Sequence, residues 1–426
     1  MPVIKAVRGA PDILPPETER WQALEAAARV VLGRYGYAEI RTPIFERTEL
    51  FVRGIGEGTD IVDKEMYTFD DRGGDSLTLR PEATASVMRA YLEHGLAAKS
   101  SLTKLYLIGP MFRHERPQSG RFRQFHQLNV EAVGSPGPAI DAEVVALASA
   151  LLGTWGLRGI QLRINSIGDP ACRPVYRDAF VGYLAARRAE LCDDCRVRLE
   201  KNPLRILDCK QAGCQAIAAG APTISGFLCE PCREHFAAVR ALLEGLAIPY
   251  AVDERLVRGL DYYTRTTFEF LNPALGAQNA VAGGGRYDGL VAELGGPPTP
   301  SIGFAVGLER ILVSLTAAAA QAEATEAAGG AYVATAGVPF GVALGLAESL
   351  RQRGLRAGLD LDGRSLKAQL RQANKERFRY AVILGEAELA RGQVTLKDMR
   401  GGEQREVPRE GLADYLAALP EGEAAQ

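Results

Sequence analysis

The chain has 426 residues, which is too long for one ordinary domain and corresponds to about two to four domains of roughly 100–200 residues each. Lys and Arg total 50 and Asp and Glu total 52, so the formal net charge of −2 excludes a wholly basic nucleic-acid binder and a disordered acidic protein. With 47% apolar and 24% charged residues the composition is globular, no apolar run reaches the ~18–20 residues of a membrane span, and the first nine residues lack the apolar core of a signal peptide. We therefore expect a cytoplasmic protein that contacts no membrane.

The first part of the chain predicts helices mixed with antiparallel strands. Apolar residues at helical spacing, among them Trp21, Leu24 and Val31, predict a helix over 17–35. The segment 38–45 predicts a strand, which Pro43 places at an edge or an interface. The patterns that follow predict a hairpin over 65–80, a helix over 82–94, strands over 104–112 and 122–133, a helix over 139–155 and a strand over 160–165.

The remainder of the chain changes character twice. A cysteine-rich stretch, 169–233, separates two parts of one core domain, 1–168 and 234–315. The alanine-rich segment 316–330 predicts a linker. Beyond it, strand and helix patterns alternate over 331–335, 340–353, 355–359, 365–375, 379–384 and 392–399, which predicts a small α/β domain over 331–426.

Six of the seven cysteines lie within residues 192–232 of this stretch. Two CxxC pairs, Cys192 with Cys195 and Cys229 with Cys232, can form one tetrahedral thiolate site for a structural zinc ion, with His235 nearby as a further ligand. The spacing between the pairs is longer than in the usual zinc ribbon. Two interpretations therefore stay open, a structural zinc ion and reduced free thiols, and redox chemistry is the least favoured.

The strand over 122–133 carries polar residues on one face. Side chains alternate along a strand, so Gln127, Asn129 and Glu131 share a face with Arg123 and Phe125. Burying such a face is costly unless it receives a polar ligand, and the alternative is a solvated face with surface charges.

The C-terminal domain contains a basic segment that the net charge conceals. Residues 351–379 hold nine Lys and Arg against three acids, a local charge of +6. Lys367, Arg371 and Lys375 follow i, i+4, i+8 spacing and share one helix face. Such a face is either simply solvated or binds phosphates.

Five motifs together resemble the histidyl-tRNA synthetase family within the class II aminoacyl-tRNA synthetases. Arg113 with the loop 114–120 and the run 123–127 resembles motif 2, the run 303–310 resembles motif 3, and the helix over 17–35 with the Pro43 strand resembles motif 1. The runs 256–264 (Leu-Val-Arg-Gly-Leu-Asp-Tyr-Tyr-Thr) and 283–288 (Gly-Gly-Gly-Arg-Tyr-Asp) resemble motifs particular to this family. The resemblance covers nearly the whole chain.

The resemblance implies an α+β catalytic core, with a six-stranded antiparallel sheet flanked by helices, and a separate C-terminal α/β anticodon-binding domain. It also implies a homodimer formed through motif 1. The implied reaction uses ATP with Mg²⁺ to convert L-histidine to histidyl-adenylate, and then transfers histidine to the 3′ end of its tRNA. A site that hydrogen-bonds its substrate rejects analogues by roughly 10⁴–10⁵, so no editing domain is expected.

The resemblance also implies roles for individual residues. Arg113 is placed on the α-phosphate of ATP, Arg310 on the γ-phosphate, and Arg258 between the histidine carboxylate and the α-phosphate, where the forked guanidinium matches phosphate oxygens. The implied histidine-binding residues are Glu82, Ala83, Thr84, Arg113, Gln127, Glu131, Arg258, Tyr262, Tyr263 and Tyr287. The implied tRNA-binding residues are Arg116, Gln118 and Arg121 in the motif 2 loop and Lys367 and Arg371 in the C-terminal domain.

A second function fits the same resemblance. A non-catalytic regulatory paralogue of the synthetase acts with ATP phosphoribosyltransferase in histidine biosynthesis, and it typically lacks the anticodon-binding domain and the catalytic positions. Here Arg113, Arg258, Arg310, Glu82 and Glu131 are all present, together with a C-terminal domain, and we therefore favour the synthetase.

Overall fold

The structure is a computed structural model that describes residues 3–56, 59–116, 121–258, 260–276, 279–319 and 330–419. The chain divides into two compact units, residues 1–321 and 322–426. The helices and strands of the first unit are, in chain order, α1 (Glu17–Arg34), β1 (Ala38–Glu39), β2 (Phe45–Arg47), α2 (Thr48–Ile55), β3 (Tyr67–Asp70), β4 (Ser76–Leu79), α3 (Thr84–Glu93), β5 (Thr103–Phe112), β6 (Gln124–Val133), α4 (Pro138–Thr154), β7 (Gln161–Ser166), α5 (Arg173–Ala185), α6 (Asp193–Lys201), α7 (Ala212–Ala219), α8 (Glu230–Gly245), β8 (Ala251–Val252), β9 (Thr264–Leu271), β10 (Ala280–Arg286), α9 (Leu290–Glu293), β11 (Ser301–Gly307) and α10 (Leu308–Ala319).

The first unit is built on an eight-stranded sheet of order β1-β5-β6-β11-β10-β9-β7-β8. The six central strands pair antiparallel, and the two-residue strands β1 and β8 add parallel pairs at the edges. The six-stranded antiparallel sheet expected from the resemblance is therefore confirmed, with one short strand added at each edge. The longest pairing joins β5 and β6 over Thr103↔Val133 to Phe112↔Gln124.

The apolar stripe of α1 belongs to the core of this unit. Trp21, Leu24 and Val31 are buried in one cluster with residues of α4 and the sheet. The indole Nε1 of Trp155 donates a hydrogen bond to the Leu24 carbonyl at 3.0 Å, which fixes α1 against the end of α4. The apolar stripe of α1 is therefore part of the hydrophobic core and is not exposed for contact with a partner.

The prediction of one strand over 38–45 is wrong. The segment forms two short strands in different sheets, β1 in the large sheet and β2 in a three-stranded sheet of order β2-β4-β3. Between them, Nη1 of Arg80 donates to the carbonyls of Thr42 and Pro43 at 3.1 and 3.3 Å. Because a side chain takes these carbonyls and Pro43 has no N–H, the chain leaves one sheet and enters the other. The hairpin predicted over 65–80 is present as β3 and β4.

The cysteine-rich stretch forms helices with a hydrophobic core of their own. It leaves the large sheet after β7 and returns through α8 to β8. Its buried apolar side chains form a cluster that includes Tyr176, Phe180 and Leu184 with five of the cysteines. A local core of this kind allows the stretch to pack beside the sheet without contributing a strand to it.

The second unit is a small α/β sandwich. Its elements are β12 (Ala331–Ala336), α11 (Phe340–Gln352), β13 (Ala357–Leu359), α12 (Leu366–Lys375), β14 (Tyr380–Gly385), α13 (Glu386–Ala390), β15 (Gln393–Asp398), β16 (Gln404–Pro408) and α14 (Leu412–Ala417). The sheet order is β13-β12-β14-β15-β16, with three parallel strands followed by two antiparallel ones. The predicted alternation is confirmed, and α13, β16 and α14 are additions that the sequence prediction lacked.

In the described residues no single helix is long and apolar enough to cross a membrane, although one pair bent by 99°, Ala212–Phe227 with Glu230–Gly245, meets the length and composition criteria together.

Candidate active site

A cavity of about 350 Å³ lies over one face of the large sheet in the first unit. Its walls bring together most of the residues that the sequence predicted for the site: Glu82, Thr84, Arg113, Arg121, Gln127, Arg258, Tyr262, Tyr263, Tyr287 and Arg310. Ala83 and Glu131 are buried directly behind this wall. Arg116 is exposed and does not line the cavity, and Gln118 lies outside the described residues.

Small residues in the sheet form the floor of the cavity. Gly283 of β10 pairs with Glu269 of β9 on one side and with Ala305 of β11 on the other. A Cβ atom at Gly283 would lie 2.6 Å from Nη1 of Arg258, so only glycine admits the guanidinium at this height above the sheet. The glycine run therefore allows another group to come close to the backbone of the sheet, and at Gly283 this group is the guanidinium of Arg258.

Three arginines are held in the cavity by fixed partners. Arg258 forms an ion pair with Glu269, which lies beside Gly283 in the sheet. Nε of Arg113 donates to the Pro81 carbonyl at 2.9 Å, and its guanidinium lies 5.3 Å from the centre of the Phe125 ring. Nη1 of Arg310 donates to the Ala280 carbonyl at 2.6 Å. These contacts orient the guanidinium groups before any ligand arrives.

Three glutamates of the cavity were missed by the sequence prediction. Glu115 pairs with Arg121, Glu269 pairs with Arg258, and Glu309 accepts the backbone N–H of His126 at 2.8 Å. Glu115 and Glu309 each lie within two residues of a predicted arginine, in motifs 2 and 3, and this proximity was the available signal. Glu269 had none, because its place beside Gly283 depends on strand pairing.

A second group of carboxylates lies at the part of the cavity wall that contains Glu82 and Thr84. Glu82 accepts the backbone N–H groups of Thr84 and Ala85, both at 2.8 Å, at the start of α3. Glu131 accepts hydrogen bonds from Thr84 Oγ1 at 2.8 Å and from the Tyr287 hydroxyl. Burial raises the pKa of Glu82, and burial raises the pKa of Glu131 to about 8.

Three tyrosines pack around these carboxylates. The ring centres of Tyr262 and Tyr263 are 4.7 Å apart, and that of Tyr287 lies 5.5 Å from Tyr262. All three are buried, and burial raises the pKa of each hydroxyl. The result is a part of the cavity wall that presents buried hydroxyl and carboxyl groups.

Two buried polar atoms on β6 suit a ligand in this cavity. Gln127 and Asn129 line it on the face that the sequence predicted. Oε1 of Gln127 and Nδ2 of Asn129 are buried and have no hydrogen-bond partner within the described residues. Buried polar atoms are normally paired, so these two atoms are ready to bind polar groups of a substrate.

Arg286, which follows the three glycines in the run 283–288, belongs to a buried network that joins β10 to two helices. Arg286 is fully buried and donates from Nη1 to Asp141 at 2.8 Å, and Asp141 also contacts Nε2 of His235 at 2.8 Å. This network packs β10 against α4 and α8. His235 is therefore part of a structural network, and its prediction as a further metal ligand is wrong.

The prediction of one zinc site joining Cys192, Cys195, Cys229 and Cys232 is also wrong, because the two CxxC pairs lie in separate clusters. The four-cysteine cluster contains Cys192, Cys195, Cys209 and Cys214, and the aspartate–cysteine cluster contains Asp169, Cys172, Cys229 and Cys232. The two pairs begin different helices, α6 and α8, and each pair meets a different part of the insertion. Sequence spacing alone could not reveal these partners.

The second unit presents the predicted basic face. Lys367, Arg371 and Lys375 are all exposed on α12. The opposite side of this helix is anchored by the buried Gln369, whose amide exchanges hydrogen bonds of 2.8 and 2.9 Å with the backbone of Thr335. The three cations therefore project from one side of a fixed helix.

The fold and the cavity define the class of protein. An antiparallel sheet with arginines and a polar end pocket on one face, followed by a separate α/β unit, is the arrangement expected of a class II aminoacyl-tRNA synthetase. Residues 9–168 and 222–311 match the family model of histidyl-tRNA synthetase, and residues 332–419 match that of the anticodon binding domain. The chain belongs to the histidyl-tRNA synthetase family.

Individual relatives support the same assignment. The chain is 53% identical to a histidine–tRNA ligase of Desulfitobacterium hafniense over 97% of both chains, and 52% identical to one of Moorella thermoacetica over 97% of this chain and 98% of the relative. An apo histidyl-tRNA synthetase of S. aureus has 38% identity and a TM-score of 0.82, covering 97% of this chain and all of that one. A Bacillus halodurans protein described as an ATP phosphoribosyltransferase regulatory subunit/histidyl-tRNA synthetase shares the fold at 21% identity, with a TM-score of 0.65 over 89% of this chain and 98% of that one.

Proposed function

We propose that the protein is a histidine–tRNA ligase, which activates L-histidine with ATP and transfers it to the 3′ end of its tRNA. The observation that carries this proposal is one cavity that is lined by Arg113, Arg258 and Arg310 and by three tyrosines that pack around the buried Glu131. Cations suit the triphosphate, and a small polar pocket suits the imidazole and amino groups of histidine.

In the first step, a carboxylate oxygen of histidine attacks the α-phosphorus of ATP, and the bond from that phosphorus to pyrophosphate breaks. Both reactants are anions, so positive charge must be in place where they meet. Arg258 bridges the carboxylate and the α-phosphate, Arg113 binds the α-phosphate, and Arg310 binds the γ-phosphate. Because Glu269 and two backbone carbonyls already orient these side chains, little reorganisation accompanies the reaction.

Histidine binds at the tyrosine end of the cavity. The imidazole has a donor and an acceptor on opposite edges, and Glu131 and Tyr263 meet these two edges. Glu82, Thr84 and Gln127 bind the α-amino and carboxylate end, while Ala83, Tyr262 and Tyr287 complete the wall. The unpaired Oε1 of Gln127 provides an acceptor for the ammonium group.

The ATP end of the cavity also fits Mg²⁺. Carboxylate oxygens are the protein ligands that this ion prefers, and Glu115, Glu269 and Glu309 line the same wall as the phosphate-binding arginines. These glutamates would hold the ion, which neutralises phosphate charge when it is bound with ATP.

In the second step, the terminal hydroxyl of the tRNA attacks the carbonyl carbon of histidyl-adenylate and AMP leaves. Arg116, Gln118 and Arg121 of the motif 2 loop receive the acceptor end. Lys367 and Arg371 bind phosphates near the anticodon, and their exposure on one side of α12 supports this role. The domain bounds predicted from the sequence, 1–168, 169–233, 234–315, 316–330 and 331–426, remain part of this proposal.

We also propose a cytoplasmic homodimer with structural zinc in the cysteine-rich insertion. Large apolar side chains are exposed in the motif 1 region, where Ile44 and Phe45 are 43% and 48% exposed, and such side chains commonly mark an interface. None of the seven cysteines, all of them among the described residues, forms a disulfide, as in a reducing compartment. The ligands of the zinc are assigned in the next section.

Histidine-dependent exchange of pyrophosphate into ATP tests the proposal. The wild type should catalyse exchange, and Arg258→Ala should lower the rate by about 10²-fold or more, since a misplaced reacting group can cost that much. Arg53→Ala is a matched control, because Arg53 is exposed on α2, pairs with Glu49 and does not line the cavity. If the wild type gives no exchange with histidine, the proposal is refuted and the regulatory paralogue becomes the better explanation.

A further inference from the structure

We propose that the insertion between β7 and β8 holds two zinc ions, one in the four-cysteine cluster and one in the aspartate–cysteine cluster. In each cluster one ligand atom from each of four residues lies within 4.8 Å of all the others. Together the clusters use all seven cysteines of the chain. This distribution is expected if each cysteine is a metal ligand.

The separations between ligand atoms match a tetrahedron around a single metal ion. With Zn–S bonds of about 2.3 Å and tetrahedral angles, two sulfur ligands lie about 3.8 Å apart. The Sγ atoms of Cys192 and Cys209 are 3.9 Å apart, and those of Cys172 and Cys232 are also 3.9 Å apart. A disulfide would require about 2.05 Å, so these pairs are spaced for a shared ion and not for a covalent bond.

Asp169 is the fourth ligand of the second cluster. A sulfur and an oxygen on one zinc ion lie about 3.6 Å apart, given Zn–O bonds of about 2.0–2.2 Å. Oδ1 of Asp169 lies 3.5 Å from Sγ of Cys172 and 3.8 Å from Sγ of Cys229. Its other oxygen, Oδ2, is held by Arg265 at 3.3 Å, which leaves Oδ1 directed at the sulfurs. An outer partner of this kind orients a metal-binding carboxylate.

Helix N-termini surround both clusters. Cys172, Cys192 and Cys229 are the residues that immediately precede α5, α6 and α8, and Cys214 lies in the first turn of α7. The positive end of a helix dipole stabilises a thiolate, which is the form that binds metal. Two helix N-termini converge on each cluster, α6 with α7 and α5 with α8.

Backbone amides also point at the sulfurs. The N–H of Cys192 donates to Sγ of Cys214 at 3.3 Å, and the N–H of Asp169 donates to Sγ of Cys172 at 3.3 Å. Such donors favour the anionic sulfur. Cys192 in the four-cysteine cluster, and Asp169 and Cys229 in the aspartate–cysteine cluster, are half-buried while the other five ligands are buried, which leaves each cluster partly open for metal entry.

The test is the metal content of the full-length protein, measured by inductively coupled plasma mass spectrometry after gel filtration. We expect two zinc ions per chain. Cys214→Ser and Asp169→Asn should each lower the content to about one, because each removes one ligand of a different cluster. Asp193→Asn is the matched control, since this carboxylate is 96% exposed next to Cys192 and belongs to neither cluster.

Three results would overturn the proposal: one zinc ion per chain, iron in place of zinc, or a chain without metal. If a variant does not fold, the wild type still decides the question. A mercurial reagent that reacts with thiols should release two zinc ions for seven thiols, and zinc-free thiols would contradict the inference. None of these measurements uses a substrate, so failure of the zinc proposal and failure of the ligase proposal are distinguishable.

The two clusters lie next to contacts with the proposed histidine pocket. Nδ2 of Asn202, between Cys195 and Cys209 in the chain, donates to both carboxylate oxygens of Asp261 at 2.8 and 2.9 Å. Arg173, directly after Cys172, donates to the Tyr263 carbonyl at 3.0 Å. Each zinc ion therefore stabilises a segment that holds the run 261–263 in place.

Discussion

The buried carboxyl of Glu131 makes a prediction about both stability and substrate binding. In Glu131→Gln the amide oxygen can still accept from Thr84 Oγ1, and the amide nitrogen can donate to the Tyr287 hydroxyl, so the fold should persist. What the change removes is a titratable proton. Burial raises the pKa of this group from 4.5 to about 8, so the folded wild type keeps a proton that the unfolded chain has already released.

The sign and size of the effect follow from this difference. Below about pH 4.5 both states hold the proton and the group has no effect on the pH dependence. Between about pH 5 and pH 8 the folded state holds one more proton, so the free energy of unfolding falls by about 1.4 kcal/mol per pH unit, or roughly 4 kcal/mol across the window. In Glu131→Gln this contribution is absent. The free energy of unfolding of the variant should therefore rise relative to that of the wild type by about 1.4 kcal/mol per pH unit as the pH rises.

Urea unfolding followed by tryptophan fluorescence measures the slope. The chain has two tryptophans, Trp21 and Trp155, and both lie in the core of the first unit, so the signal reports this unit alone. Glu93→Gln, on the exposed end of α3, is the control and should follow the wild type. If the free energy of unfolding has the same slope against pH for the wild type and Glu131→Gln between about pH 5.5 and 7.5, the assignment of a buried proton to Glu131 is refuted.

The same variant separates recognition from folding. If Glu131 meets the imidazole, loss of a hydrogen bond between neutral groups, worth about 0.5–1.5 kcal/mol, should raise the KM for histidine by about 2- to 13-fold. The KM for ATP should stay unchanged, because Glu131 is buried beyond the tyrosines, away from Arg310. A variant that is folded and shows no change in the KM for histidine would contradict the proposed pocket.

Three further predictions concern the floor of the cavity, the insertion and the C-terminal unit. Gly283→Ala places a Cβ atom against the Arg258 guanidinium and should lower pyrophosphate exchange by about 10²-fold, whereas Gly289→Ala meets its nearest atom at 3.7 Å and should not. Asn202→Ala removes the two hydrogen bonds to Asp261 and should raise the KM for histidine several-fold at unchanged zinc content; loss of zinc would show that it acts on the cluster instead. Arg371→Ala should weaken tRNA binding and lower the slope of log affinity against log salt by about 1, with exchange unaffected, and an unchanged slope would remove α12 from the tRNA surface.

Local patterns were enough to predict most of the elements. The helix α1, the hairpin β3–β4 and the long pair β5–β6 are each signalled by apolar spacing and turn residues within a short stretch. The single strand expected over 38–45 failed because Arg80, distant in sequence, takes the carbonyls that a strand would have used. Contacts of this kind are invisible to any local pattern.

The residues of the candidate site also fall into two groups, those that local motifs predicted and those that only the folded structure brings into contact. The motif residues Arg113, Arg258 and Arg310 were predicted from sequence because each lies in a short run whose residue order resembles a family motif. Their partner Glu269 was missed, since a strand register places it beside Gly283. The same reason explains the cysteines: the CxxC pairs are visible in the sequence, but the closing ligands Cys209, Cys214, Asp169 and Cys172 are brought in by helix packing.

The sequence by itself determined the family, and it predicted the site residues, because both depend on the order of residues in short motifs; the near-neutral balance of charges follows from composition alone. Only the tertiary structure decided which groups face one another, for example that Glu131 is buried between Thr84 and Tyr287 and that the two CxxC pairs belong to different clusters. The physical reason is that hydrogen bonds, burial and metal geometry act over a few ångströms in space, whereas the residues concerned are separated by tens to more than a hundred positions along the chain.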